Sequence, residues 1–192
     1  SIPHLFSKQE DIEISGLLSA TIAWGQRKTI LKNARYLMDL MDHSPFDFIM
    51  NFEQQDLARF KSFKHRTFNG DDCIYFMKAL QYIYNNFGVL EAAFTSNTMD
   101  KDKIVYNGIL RFREIFLSLP HGARIEKHVS NPAKGASAKR LNMFLRWMVR
   151  KDKSGIDFGL WNSFQPDQLI CPLDIHSGSV ARKLGILTRK QN

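Results

Sequence analysis

Apolar residues recur at intervals of three and four along most of the chain, which is the spacing of amphipathic helices. Two-residue alternation between turn signals, which would indicate β-hairpins, is not evident. The pattern therefore predicts an all-α protein, with a mixture of short helix and loop over 46–70. The predicted helices run from about Lys8 to Trp24, Arg27 to Met41, Asp71 to Phe87, Asp100 to Leu119, Ala136 to Lys151 and Ile175 to Leu184.

Several of these boundaries carry their own chemical signals. Gly25 is a natural stop for the first helix, and His43-Ser44-Pro45 breaks the second. The acidic pair Asp71-Asp72 complements the positive end of a helix dipole. Asn131-Pro132 is typical either of a helix cap followed by proline or of a tight turn.

The helix predicted over 136–151 has two unlike faces. One is an apolar stripe that anchors the helix in the interior, formed by Leu141, Phe144, Leu145 and Met148. The other carries Lys139, Met143, Arg146 and Arg150. Its arginines are either ordinary solvated charges or part of an anion-binding face. Lys139 lies in the first turn beside Arg140, where dipole and neighbour both disfavour a cation, so it is a candidate nucleophile.

Charge is unevenly distributed over the 192 residues, whose formal net charge is +8. Residues 1–120 carry 14 Lys plus Arg against 14 Asp plus Glu, whereas residues 121–192 carry 13 against 5. A concentrated basic region favours a polyanion partner, above all nucleic acid, because each cation that meets a phosphate releases counterion. An anionic membrane, an acidic protein or a plain basic surface remain alternatives at this point.

Composition and cysteine content exclude several classes of protein and of metal site. A hydrophobic content of 44% excludes a disordered chain. Two separated cysteines, Cys73 and Cys171, signal neither a disulfide framework nor a zinc site, and they are too few for a four-cysteine iron–sulfur cluster. We expect no metal and no cofactor. With no leader and no long apolar run, we expect a reduced, cytoplasmic protein without a membrane segment, and the polar ends suggest a fragment of a longer chain.

A second motif is the turn Pro172-Leu173-Asp174-Ile175-His176 before the last predicted helix. Asp174 there is first of all a helix cap, because its carboxylate can accept the unpaired N–H groups of the first turn. The same rigid position also suits a carboxylate that faces a developing cation. His176 either faces the same cleft or caps a neighbouring turn.

Together these motifs resemble the helix-hairpin-helix base-excision DNA glycosylases, in which a hairpin lysine precedes an aspartate in a Pro-x-Asp turn. The resemblance rests on Gly135 to Arg140, the amphipathic helix after it, and Pro172 to His176; the lysine–aspartate spacing is most similar to the archaeal 8-oxoguanine branch. Lys139 to Arg150, Phe158-Gly159-Leu160-Trp161 and Glu13 to Gly25 are also similar to a family of bacterial hypothetical proteins assigned to that superfamily.

The resemblance implies two helical lobes with a cleft between them, approximately 26–120 and 1–25 plus 121–192. It implies a hairpin that grips DNA phosphates and a damaged nucleotide, such as an oxidised purine, rotated into the cleft. Lys139 would attack the sugar C1′ and form a Schiff base, assisted by Asp174, and strand cleavage would follow base release. The implied backbone contacts come from Lys134, Gly135, Ser137, Arg140, Arg146 and Arg150, and the cleft candidates are His176, Trp24 and Trp161.

The hairpin departs from the usual pattern of that superfamily. Where Leu-Pro-Gly-Val-Gly usually precedes the lysine, residues 131–138 contain one glycine, so Lys134 and Ser137 would have to assist phosphate binding. Lys134 also competes with Lys139 for the role of nucleophile. Two alternatives therefore stay open, a DNA- or RNA-binding module of the same fold without the chemistry, and an enzyme acting on a nucleoside or modified RNA base.

Overall fold

The computed structural model describes residues 2–95, 103–152, 154–173 and 175–188. The prediction of a mainly helical chain is confirmed. The α-helices are α1 Gln9–Thr21, α2 Arg27–Asp39, α3 Pro45–Asn51, α4 Gly70–Phe87, α5 Leu90–Phe94, α6 Ile104–Phe116, α7 Ala123–Glu126, α8 Lys139–Val149 and α9 Ile175–Lys183. Short 3-10 helices cover Pro3–Leu5, Asp56–Phe60, Pro132–Lys134 and Pro166–Gln168. In the described part of the chain, no helix has both the length and the apolarity to cross a membrane.

Helix α1 lies at the centre of the fold. Every residue from Ile12 to Ile22 is buried, so the helix is enclosed on all sides and has no solvent face. It packs against α8, α2, α3 and the first 3-10 helix. At Gly16 an added Cβ would lie 3.3 Å from Cε2 of Phe144, so a small residue is what allows α1 and α8 to approach closely.

A carboxylate is buried inside this centre. Glu13 on α1 is 0% exposed, and its Oε1 accepts hydrogen bonds from Nε1 of Trp161 at 2.7 Å and from Nε2 of Gln9 at 2.9 Å. The hydroxyl of Tyr84 on α4 donates to Oε2 at 2.9 Å. Burial raises the pKa of Glu13, although these donors act in the opposite direction. The carboxyl group thus links α1, α4 and the segment after α8.

Helix α4 begins where the acidic pair predicted it. The side chain of Asn69 accepts from the backbone N–H of Asp72, and Asp72 Oδ2 accepts from the N–H of Asn69 at 2.8 Å, a reciprocal capping box. Asp71 is exposed, so the cap depends on Asp72 alone. Stacked and edge-on rings then extend the core from α4 through α5 and α6 to α8, with Phe76, Phe116, Phe112, Phe94 and Phe144 in succession.

Two short elements were not predicted. Strands β1 (Lys64–His65) and β2 (Phe68–Asn69) form an antiparallel hairpin that closes through Arg66 at φ 54°. Two residues per strand are too few to produce a visible alternation. Helix α5 is a single turn whose buried residues follow Gly88 directly. The buried apolar side chains form one continuous cluster, and the division into two lobes stays a prediction.

We predict that Glu13→Ala lowers the free energy of unfolding by about 3 kcal/mol, because it leaves the indole N–H of Trp161 and the hydroxyl of Tyr84 buried without a partner. Glu13→Gln, which keeps a side-chain acceptor, should cost clearly less. Chemical denaturation of the three proteins measures both effects, and equal stability of the alanine and glutamine variants would contradict the account.

Comparison of the parent protein with Glu13→Gln also tests the protonation of Glu13. Because the folded-state pKa is raised above the usual 4.5, the folded protein holds this proton to higher pH than the unfolded chain does. The contribution of Glu13 to the free energy of unfolding is therefore full below about pH 4.5, and it is lost as pH rises through the folded-state pKa of this group. Relative to Glu13→Gln, the parent protein should lose stability over that rise.

Candidate functional site

The turn that precedes α8 is well defined. The side chain of Asn131 accepts from the N–H of Ala133 at 3.0 Å and caps the 3-10 helix that starts at Pro132, so the cap predicted at Asn131-Pro132 is confirmed. Gly135 ends this helix at φ 80°, and the buried Ala138 has a φ of 47°, both in the left-handed region. Glycine is favoured at the first of these positions, whereas alanine is strained at the second.

Asn142 holds this turn against α8. Its Nδ2 donates to the carbonyl of Ser137 at 3.1 Å and to that of Ala138 at 3.2 Å. Its Oδ1 is buried and has no hydrogen-bond partner among the described residues. Sequence inspection missed this residue, because an asparagine on an amphipathic helix has no signature of its own.

Lys139 is the first residue of α8 and is exposed. The predicted apolar stripe of this helix is confirmed, since Leu141, Phe144, Leu145 and Met148 are all buried. By helical spacing, Lys139 shares the opposite face with Met143, Arg146 and Arg150. A lysine is thus presented to solvent by a helix that is fixed in the core. Lys134, its competitor, is also exposed and lies at the end of the 3-10 helix in the turn.

A groove of about 400 Å³ runs beside this face of α8. One wall comes from α8, and the other from the segment 166–172, which begins with the last 3-10 helix. We call it the α8 groove; it is lined by Asn142, Met143, Arg146, Arg150, Pro166, Leu169, Ile170, Cys171 and Pro172. A smaller hollow of about 200 Å³, lined by Gly135, Ala136 and Ser137 of the turn, shares Asn142 and Ile170 with it.

Both arginines of the groove share one buried carboxylate. Nε of Arg146 lies 3.1 Å and Nε of Arg150 lies 3.4 Å from Oδ2 of Asp157, whose side chain is 0% exposed. Oδ1 of Asp157 has no hydrogen-bond partner among the described residues. The two arginines are half-exposed, and the cluster carries a net charge of +1 because two cations face one anion.

The structure describes part of the second predicted motif, the turn from Pro172 to His176. Pro172 lines the α8 groove, and α9 covers Ile175–Lys183, which agrees with the predicted helix. His176 lies in the first turn of α9 and is exposed. Asp174 lies outside the described residues, so its expected roles as cap and catalytic carboxylate stay predictions.

Trp24 lies at a different pocket, which it lines together with Arg140 of α8. This Trp24 pocket has a volume of about 390 Å³ and is lined by Trp24, Thr67, Lys127, His128 and Arg140. The guanidinium carbon of Arg140 lies 4.9 Å from the centre of the Trp24 ring, and Arg140 also donates to the carbonyl of Thr21. Arg140 therefore faces the end of α1, not the α8 groove.

Behind the Trp24 pocket lies a buried charge cluster. Asp72 accepts hydrogen bonds from Nη2 of Arg124 at 2.8 Å and from its Nε at 3.2 Å. Nε2 of His128 lies 3.1 Å from Oδ2 of Asp72, a close contact without hydrogen-bond geometry. Burial lowers the pKa of His128, although the charge of Asp72 opposes that effect, so the imidazole is favoured in its neutral form.

Trp161 does not lie at either opening. It is 2% exposed, its indole N–H is bound to Glu13, and its ring packs edge-on against Phe144 at 5.4 Å. The suggestion that Trp161 is a cleft residue is thus corrected to a packing role in the core. Sequence could not reveal this, because Glu13 and Trp161 are 148 residues apart.

Comparison with known families identifies the chain. It belongs to the family described as "Protein of unknown function (DUF2400)", whose profile matches residues 1–192. Searches of curated proteins and of solved structures gave no significant match.

From the charge cluster around Asp72 we predict an effect on stability. Asp72→Ala removes the reciprocal cap of α4 and leaves Arg124 without its anion, so we expect the free energy of unfolding to fall by about 3 kcal/mol. The matched control is Asp71→Ala, which removes the neighbouring exposed carboxylate and should cost less than about 1 kcal/mol. Thermal or chemical denaturation distinguishes them, and similar losses in both variants would show that the cluster is not structural.

Proposed function

We propose that this DUF2400 member is a DNA base-excision glycosylase with lyase activity, and that the helix-hairpin-helix resemblance extends to its two-lobed fold. The observation that carries the proposal is the position of Lys139. It is exposed at the first residue of α8, directly after a turn with two left-handed residues, and by helical spacing it shares a face with Met143, Arg146 and Arg150, which line the α8 groove. The same groove is lined by Pro172, two residues before Asp174 in sequence.

The local structure supports a reactive amine at this position. Lys139 makes no ion pair with any carboxylate of the described residues. The end of α8 that presents it is fixed by the buried stripe and by Asn142, which binds the turn. A nucleophile on a rigid element can be held close to its target atom, which is the main requirement for efficient attack.

The proposed chemistry starts from a nucleotide turned out of the duplex. The lone pair of Lys139 Nζ forms a bond to the sugar C1′, while the glycosidic bond breaks and its electron pair leaves with the base, which takes up a proton. Opening of the sugar ring gives a Schiff base, and elimination then breaks the strand on the 3′ side. Asp174 would accept the proton of Lys139 and stabilise positive charge that develops on the sugar.

The distribution of charge supports DNA as the polyanion. The basic excess lies in 121–192, the part of the chain that supplies the hairpin turn and α8. The turn offers the exposed Lys134 as a phosphate contact, although it has the single glycine Gly135. That single glycine also favours the second candidate, a nucleic-acid-binding module without catalysis.

We expect the parent protein to form a covalent adduct with a duplex that carries an abasic site when borohydride is present, because reduction traps the Schiff base. Lys139→Gln should abolish the adduct and retain DNA affinity within about threefold, since one phosphate contact at most is lost. Denaturing gels measure the adduct, and fluorescence anisotropy measures affinity.

Lys134→Gln is the matched control for this experiment, because it removes an exposed lysine of the same turn and the same charge. It should leave the adduct intact. An adduct that survives Lys139→Gln and disappears with Lys134→Gln would transfer the chemistry to Lys134. Salt-dependent binding without any adduct in the parent protein would refute the lyase and support the binding module.

From the charges of the α8 groove we predict how the salt dependence of DNA binding changes in variants. Because Arg146 and Arg150 share Asp157, Asp157→Asn raises the local charge by one, and the slope of log affinity against log salt should steepen by about 1. Arg146→Gln should reduce the slope by about the same amount. Binding to an undamaged duplex at several salt concentrations measures both slopes. Lys61→Gln, at an exposed lysine outside the groove, is the control, and unchanged slopes in both groove variants would exclude this face from DNA binding.

A further inference from the structure

The Trp24 pocket has a chemistry that base excision at Lys139 does not use. Its lining combines one half-buried aromatic ring, Trp24, with two cations, Lys127 and Arg140. A pocket of about 390 Å³ is large enough for a ligand of several rings, as binding pockets of 300 to 1,000 Å³ usually are.

The indole of Trp24 is held rigidly. His65, itself buried, donates from Nε2 to the carbonyl of Trp24 at 3.0 Å, while Asn33 binds the other imidazole nitrogen at 2.9 Å. The ring of His65 packs edge-on against the indole at 4.9 Å. Gly25 follows at φ 103°, which turns the chain away directly after the indole. The guanidinium carbon of Arg140 lies 4.9 Å from the centre of the indole, so a planar base that enters the pocket would meet an aromatic ring and a planar cation already in contact with each other.

Among the described residues, no carboxylate neutralises the two cations of the pocket. Neither Lys127 nor Arg140 makes an ion pair with a carboxylate within the described ranges, in contrast to Arg124, which is paired with Asp72. Arg140 is half-buried, and burial lowers the pKa of its guanidinium. Its guanidinium donates to the carbonyl of Thr21 and lies over the Trp24 ring, neither of which carries a negative charge, so a bound anion would supply the missing counter-charge.

We propose that the Trp24 pocket binds a nucleoside monophosphate unit, with the base against the indole of Trp24 and the phosphate held by Lys127 and Arg140. An aromatic ring beside two unpaired cations matches a ligand with a planar base and an anionic group. His128 forms the inner wall of the pocket, and burial lowers its pKa and so favours the neutral form. This binding goes beyond the proposed base excision and needs no chemistry at Lys139.

The test follows the indole N–H signals by two-dimensional NMR while guanosine 5′-monophosphate is added to the full chain. Trp24→Phe assigns the Trp24 signal, and Trp161, buried and bound to Glu13, is the internal reference that should not move. We expect the Trp24 signal to shift in a saturable manner. Guanosine and inorganic phosphate each offer half of the ligand, so each should bind at least about tenfold more weakly than the monophosphate.

Lys127→Gln should weaken binding of the monophosphate about tenfold, because it removes one charged contact at an exposed residue without disturbing the core. Lys61→Gln, at an exposed lysine that lines neither the Trp24 pocket nor the α8 groove, is the control and should not change affinity. A trinucleotide without a terminal phosphate distinguishes the two sources of the unit: tighter binding than the monophosphate identifies a nucleotide within a strand, and weaker binding identifies a free nucleotide.

Three results would overturn the proposal. The first is no shift of the Trp24 signal at millimolar monophosphate. The second is equal affinity for inorganic phosphate, which would leave an anion site without base recognition. The third is binding that Lys127→Gln leaves unchanged. Each result is independent of borohydride trapping, so failure here leaves the proposed glycosylase untouched.

Discussion

The buried carboxyl group of Glu13 is the constraint on which the rest of the fold depends. It accepts hydrogen bonds from Trp161 and Tyr84, which lie on segments far apart in sequence, and it does so from the middle of the fully enclosed helix α1. A buried acid is costly unless such donors satisfy it, so each of these groups fixes the position of the others. The contact of Gly16 with Phe144 then brings α8 against α1 at close range.

This packing determines what surrounds Lys139. Helix α1 ends just before Trp24, and Arg140 binds the carbonyl of Thr21 at that end, so the start of α8 is joined to the end of α1. Lys139, the residue before Arg140, stays exposed. The Trp24 pocket is lined by Arg140, the residue after Lys139, and the α8 groove is lined by Met143, Arg146 and Arg150 from later turns of the same helix. One helix fixed in the core thus contributes side chains to two openings with different chemistry.

Local signals predicted the parts of this structure that depend on nearby residues. The apolar stripe of α8, the acidic start of α4 and the cap at Asn131 all involve groups within one or two helical turns, and all are confirmed. The charge clusters are different. Asp72 with Arg124 and His128, and Asp157 with Arg146 and Arg150, are formed by folding, so the sequence showed these residues only as separate charges. The five-residue α5 and the two-residue strands are too short to leave a periodic pattern.

The central claim is that α8 presents its first residue as the nucleophile of a DNA-processing site. The most direct measurement is peptide mapping, by tandem mass spectrometry, of the parent protein after reduction with an abasic-site duplex and nuclease digestion. The account predicts one major modified peptide, with the sugar remnant on the Nζ of Lys139. Modification spread over several exposed lysines such as Lys28, Lys61 and Lys134, or confined to one of them, would contradict it.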